Sequence, residues 1–155
     1  MQPDKARVLA LCRQALLARK EAYLRELAGL DEASARETKS SAGDKYETAR
    51  EMIAQSRRLS ESNLAGVAAS LEALERMAGA PAQAGCGFGS LVETSQGWML
   101  VGASLGDVET DGVTIRTLSL ASPLGHALKG HKAGDRIPWR GGELAILSIG
   151  DSGVA

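Results

Sequence analysis

The sequence predicts an α+β protein. An antiparallel two-helix coiled-coil hairpin spans residues 1–78, a short hinge spans 79–88, and a small antiparallel β domain with one short helix spans 89–155. Three observations carry this. Two long segments place apolar residues at steps of seven, the period that keeps a stripe facing a helical partner. Of the 18 glycines, 15 fall at or after residue 79, where they punctuate short β-like runs. Residues 1–80 carry 13 Lys/Arg against 12 Asp/Glu, whereas the rest carries 5 against 7. The dense mixture of signs in the first part is that of a solvated helical pair.

The first helix is predicted from Asp4 to about Ala33, with Leu9, Leu16, Tyr23 and Leu30 on one seven-residue series and Cys12 and Leu27 beside it. Asp4, after Pro3, suits the N-cap. The second helix is predicted from about Lys45 to Ala78, with Ile53, Ser60, Val67 and Leu74 in series and Leu64 and Leu71 between them. Its stripe is strong over Leu64–Met77 and weak over Thr48–Ser60, so the distal half of the hairpin should be held more loosely. About ten residues separate the two patterns, which makes them antiparallel neighbours. Thirty helical residues make a rod roughly 45 Å long.

Gly79, Pro81 and Gly85 end the second helix. Strands are expected in "GSLVET", "GWMLVGA", "GVTIRTLSL", "DRIPW" and "ELAILSI". Ser95-Gln96-Gly97 suits a tight turn, and Pro138 restricts its strand to an edge or a bulge. In "SPLGHALKG", Ser122 caps, Pro123 takes the first helical position and Gly130 stops a short helix.

A net charge of −1 argues against a surface given over to polyanions. Cys12 and Cys86 are too few for a four-thiolate zinc site and read as free thiols of a reducing compartment. "MQPDKARVLA" has no apolar signal core, and no apolar run approaches membrane-spanning length. The expectation is a cytoplasmic protein without a membrane partner.

The pattern of two helices, hinge and small sheet domain, together with "SLASPLGHALKGHKAGD" (119–135), resembles the bacterial Gre transcript-cleavage factors over nearly the whole chain. In that family's C-terminal signature, serine-proline opens a short helix that is followed by a glycine turn and Gly-Asp. Lys129 stands where the signature usually has an apolar residue. At the other end, Gly43-Asp44-Lys45-Tyr46-Glu47 matches the family's Gly-Asp-x-x-Glu tip motif. The Asn-Ala-Glu-Tyr that usually follows is replaced by Thr48-Ala49-Arg50-Glu51, as in a divergent branch.

The resemblance implies an FKBP-like C-terminal domain and RNA polymerase as partner. The hairpin would enter the secondary channel and promote cleavage of the backtracked nascent RNA 3′ end. Asp44 and Glu47 would then act in trans, holding a Mg²⁺ shared with the polymerase and positioning water. Ser122, Pro123, Leu124 and Gly125 would dock on the polymerase. By the same reasoning the chain is a monomer with no cofactor of its own, and it is not itself an enzyme. The chemistry is consistent, because a two-metal hydrolysis needs a second cation near the scissile phosphate, and Mg²⁺ is often held by one or two carboxylates.

Other readings compete. Asp44 at an N-cap with Glu47 three residues on is also a capping box, which needs no function. Its place at a polar hairpin tip, with the matched C-terminal signature, favours the functional reading. The departures at Thr48–Glu51 favour a secondary-channel regulator that modulates or inhibits without cleaving. A peptidyl-prolyl isomerase pocket wants more aromatics than Phe88, Trp98 and Trp139, and a plain coiled-coil adaptor does not require the C-terminal signature. His126 and His131 lack the company of a metal site. Arg36, Lys39, Lys45, Arg50, Arg57 and Arg58 read mostly as solvated helix face, with a few available to RNA phosphates near the tip.

Overall fold

A computed structural model gives the structure of the chain and describes residues 2–40, 43–81 and 83–150; the side chains of 37–40 and 44 lie outside that description. In chain order the elements are α1 (Lys5–Ser40), α2 (Asp44–Ala78), β1 (Leu91–Thr94), β2 (Gly97–Gly102), β3 (Asp107–Thr110), β4 (Val113–Ser119), α3 (Pro123–Leu128), β5 (Arg136–Trp139) and β6 (Gly142–Gly150). The expected α+β class is the observed one. Contacts divide the chain into two compact units, residues 1–14 with 70–155, and residues 15–69.

Asp4 caps α1: its Oδ1 accepts from the Ala6 N–H at 3.2 Å, and its carbonyl accepts from Val8 at 3.0 Å. The helix runs 36 residues, seven beyond the predicted end. The extension through Ala35, Arg36, Glu37 and Lys39 carries no apolar stripe. It consists largely of good helix formers, and neither glycine nor proline interrupts before Gly43. Only residues 41–43 therefore separate α1 from α2, where the sequence suggested about ten.

In the unit of residues 15–69, Leu16, Ser60 and Val67 are buried, while Tyr23, Leu30 and Ile53 are half-buried. The Arg57 guanidinium pairs with Asp31. Burial thus thins toward the tip along the stripe that the heptads define. Met52 and Leu59 are 63% and 64% exposed, so this stretch contributes little buried area.

In the other unit, six strands form one sheet in the order β3-β4-β2-β1-β6-β5. The sheet is mixed rather than wholly antiparallel, because β2 and β4 run parallel with Trp98 opposite Ile115 and Val101 opposite Leu118. The chain leaves β2, forms β3 at the sheet edge and returns inward as β4, which therefore lies beside β2 in the same direction. The sequence reading missed β3. It is four residues long with a burial pattern that is mostly open, and its signal was the Asp111-Gly112 turn.

Val92, Met99, Val101, Leu118, Ile137, Leu144 and Ile146 pack with Leu124 and Leu128 of α3 and with Cys86. Alternation sends Leu91, Leu100 and Ile115, all buried, to the other face. The base of the hairpin meets the sheet within this unit. Arg7 Nε donates to Thr110 Oγ1 at 3.0 Å, and a Cβ built on Gly102 would lie 2.8 Å from the Met77 side chain. Both faces are thus covered, which is why β2 reads as the unbroken apolar run "WMLV".

The stretch read as a hinge is held to the sheet unit. Cys86 donates its N–H to the His131 carbonyl at 2.7 Å and accepts from the Gly130 N–H at 2.8 Å. Gln83 Nε2 donates to the Phe88 carbonyl at 3.0 Å. Pro138 lies in β5, an edge strand, as its missing donor requires.

Candidate functional site

Two places carry the residues singled out by sequence, and they belong to different units. The first is the start of α2. The Glu47 N–H donates to the Gly43 carbonyl at 3.2 Å, and Gly43 has φ +72°. That bond is the first of the helix, so Gly43 occupies the cap position, Asp44 is the first helical residue and Glu47 the fourth. Gly43 supplies the left-handed backbone that a residue with a Cβ adopts only at a cost. The side chain of Asp44 lies outside the described residues. The Glu47 side chain is exposed and has no hydrogen-bond or ion-pair partner among them. Lys45, Thr48, Ala49 and Met52 line a shallow, mainly apolar hollow of about 330 Å³ beside it.

Two carboxylates about one helical turn apart offer hard oxygen donors, which suit Mg²⁺. Among the described residues no three or more His, Cys, Asp or Glu gather as a metal site.

The second place is α3. Ser122 is its N-cap, with φ −69° and ψ 155°, and its Oγ accepts from the Gly125 N–H at 3.1 Å while donating to the Ser119 carbonyl at 2.6 Å. Pro123 takes the first position, and Gly130 follows the C-cap with φ +82°. This local structure is what the sequence pattern called for. Gly125 is there for space, since a Cβ on it would lie 2.0 Å from the Ser119 carbonyl oxygen. Of the four residues proposed for docking, Leu124 and Gly125 are buried, Ser122 is half-buried, and Pro123 is exposed. The first two mainly build the helix onto the sheet.

Around α3 the sheet adds a cleft of about 540 Å³ that the sequence reading missed. Ser122, Pro123 and Leu124 form one side, Arg116 and Leu118 of β4 another, and Gln96, Trp139, Arg140, Gly142 and Glu143 complete it. The signal available was the Arg140-Gly141 pair between two strand-like runs, a hairpin turn that carries Trp139 to the cleft.

The histidines stand apart from both places. His126 is exposed, and His131 Nδ1 lies 3.2 Å from Asp135 Oδ2. The Lys132 backbone N–H, 2.9 Å from the same oxygen, and then the His131 ring hold the Asp135 carboxyl below the usual aspartate range. Cys12 and Cys86 are buried free thiols, and burial pushes Cys86 up to about 11.

Compared with known proteins, the chain matches no family model and no curated protein. No helix among the described residues is long and apolar enough to cross a membrane.

Proposed function

We propose that the chain is a divergent Gre-type transcription elongation factor, cytoplasmic and monomeric, that binds RNA polymerase at its secondary channel and stimulates cleavage of backtracked nascent RNA. One observation carries the reading: the Gly-Asp-x-x-Glu motif opens α2 three residues after α1 ends, with the Glu47 side chain exposed and unpartnered among the described residues. A solvated carboxylate at the turn of a long hairpin is available to complete a site in another protein.

In this reading Asp44 and Glu47 would hold a Mg²⁺ shared with the polymerase, and that cation would supply Lewis-acid stabilisation and a more acidic water. The chain's own part is to deliver the carboxylates and orient them from the first turn of a helix. It is no nuclease by itself. Pro123 and the capped α3 would dock the other unit at the channel rim.

The test is a purified backtracked elongation complex incubated with the protein and Mg²⁺. Shortening of the RNA from its 3′ end is expected, with free RNA left intact. Cleavage of free RNA, or no effect on the complex, would sink the proposal. Thr48-Ala49-Arg50-Glu51 supports a second reading, a secondary-channel regulator that modulates or inhibits polymerase. It predicts slowed elongation with no cleavage product.

A further inference from the structure

The β5–β6 hairpin turns through Arg140-Gly141, with Trp139 paired to Gly142 and φ values of +46° and +80°. Both central residues are left-handed, a turn in which Asn, Asp or Gly is the usual first residue. An arginine is costly there. Backbone strain of this kind is a pointer to use rather than to stability. The Arg140 guanidinium sits 5.3 Å from the Trp139 ring centroid, and both residues border the cleft beside α3.

The cleft has a definite chemistry. Leu118, Pro123, Leu124 and the Trp139 ring make an apolar wall, and Arg116 and Arg140 bring two cations to it. Neither arginine has a carboxylate partner among the described residues. The single acid of the lining, Glu143, faces Arg136 at 3.7 Å. A volume of about 540 Å³ holds one large side chain and its flanking backbone.

We propose that this cleft binds a segment of a protein partner that presents a large apolar side chain flanked by carboxylates. Guanidinium groups are weakly hydrated and meet carboxylates with two parallel hydrogen bonds, so they suit a partly desolvated rim. A nucleic acid fits less well, because Arg140 already covers the Trp139 ring and, among the described residues, no second aromatic lines the cleft for a base to stack on. The inference rests on the docking role proposed above for Ser122–Gly125, and it names the chemistry that this surface recognises.

The probe is an acetylated, amidated Asp-Leu-Phe-Glu peptide titrated into the whole chain, followed by the two tryptophan indole N–H signals in NMR. Lys-Leu-Phe-Lys and an oligouridylate are the comparisons. The acidic peptide should shift Trp139 saturably and leave the buried Trp98 alone, with affinity falling several-fold between about 50 and 300 mM salt. Arg140→Gly, which suits the turn, and Arg116→Gln should each weaken binding at least fivefold while the rest of the spectrum stays folded. Absence of a Trp139 shift, equal binding of the lysine peptide, or tighter binding of the oligouridylate overturns the proposal. Capture of polymerase separates the two readings. If the parent and the double variant bind polymerase equally, the cleft assignment fails and docking stands. If the parent does not bind polymerase, the docking role fails, and the peptide titration alone decides the cleft.

Discussion

The Glu47 amide donates to the Gly43 carbonyl at 3.2 Å, and this one bond sets the register of the whole tip. It makes Asp44 the first helical residue rather than the cap. A capping box needs its acids at the cap and the third helical position, whereas here they stand at the first and fourth. The reading of Asp44-x-x-Glu47 as a self-sufficient capping box is therefore one residue out of step with the backbone. What remains for the pair within the chain is a favourable interaction with the helix dipole.

From that register, Asp44→Asn and Glu47→Gln should each cost at most about 0.3–1 kcal/mol of stability, the dipole contribution of an acid in the first turn of a helix. Urea unfolding measures it. On the proposed function, each change should abolish cleavage in the backtracked complex while polymerase binding persists. Variants that cleave like the parent would reduce the pair to helix electrostatics.

Gly125→Ala should destabilise the sheet unit by about 1–3 kcal/mol, the usual range for an overpacked site. Its Cβ would meet a backbone oxygen, which has no rotamer by which to retreat. Ser122→Ala removes the α3 cap and should cost about 1 kcal/mol. Urea midpoints give both values. If Gly125→Ala were as stable as the parent, the close approach of α3 to Ser119 would be wrong.

Neither cysteine should react with iodoacetamide in the native protein at neutral pH. Burial raises both thiols, Cys86 to about 11, so its thiolate fraction at pH 7 is about four orders of magnitude below the thiol. Two alkyl groups should be added in denaturant, as read by mass spectrometry. Rapid native labelling of Cys86 would contradict its place in the sheet core.

Asp135 sets a pH dependence whose sign follows from the direction of its shift. Its carboxyl is held low by the Lys132 amide and then by His131. It therefore contributes stability at neutral pH that fades as pH falls below the ordinary aspartate value of about 3.9 and through the lower folded value. Carboxyl NMR titration should show the Asp135 midpoint below the ordinary aspartate value. His131→Ala should raise it only in part, since the backbone donor remains. An ordinary midpoint in the parent would remove the argument.

Much of the architecture was legible because it is written in local chemistry. The Asp4 cap, the heptad steps through Leu16 and Val67, Pro138 on an edge and the Ser122-Pro123 start of α3 depend on residues within a few positions of one another. Where the apolar stripe gave out or a neighbouring strand supplied the support, the reading fell short. The end of α1 was drawn where its apolar stripe stops, yet the helix continues through good helix formers to Ser40. The strand β3 was missed because its support is β4 beside it and not its own pattern.

Two long amphipathic helices ahead of a glycine-punctuated sheet with one capped helix, and an acidic pair at the start of the second helix, are legible in the chain's own residues. Periodicity, caps and turn residues decide these within one or two turns of chain. Long-range packing, by contrast, sets β4 beside β2 in parallel and puts the hairpin base on one sheet face and α3 on the other. It also decides that Arg116, Pro123, Trp139 and Arg140 share one cleft. Those residues lie on two strands, a helix and a turn spread over 25 positions of sequence. Burial of both sheet faces brings them together, and no local preference records that.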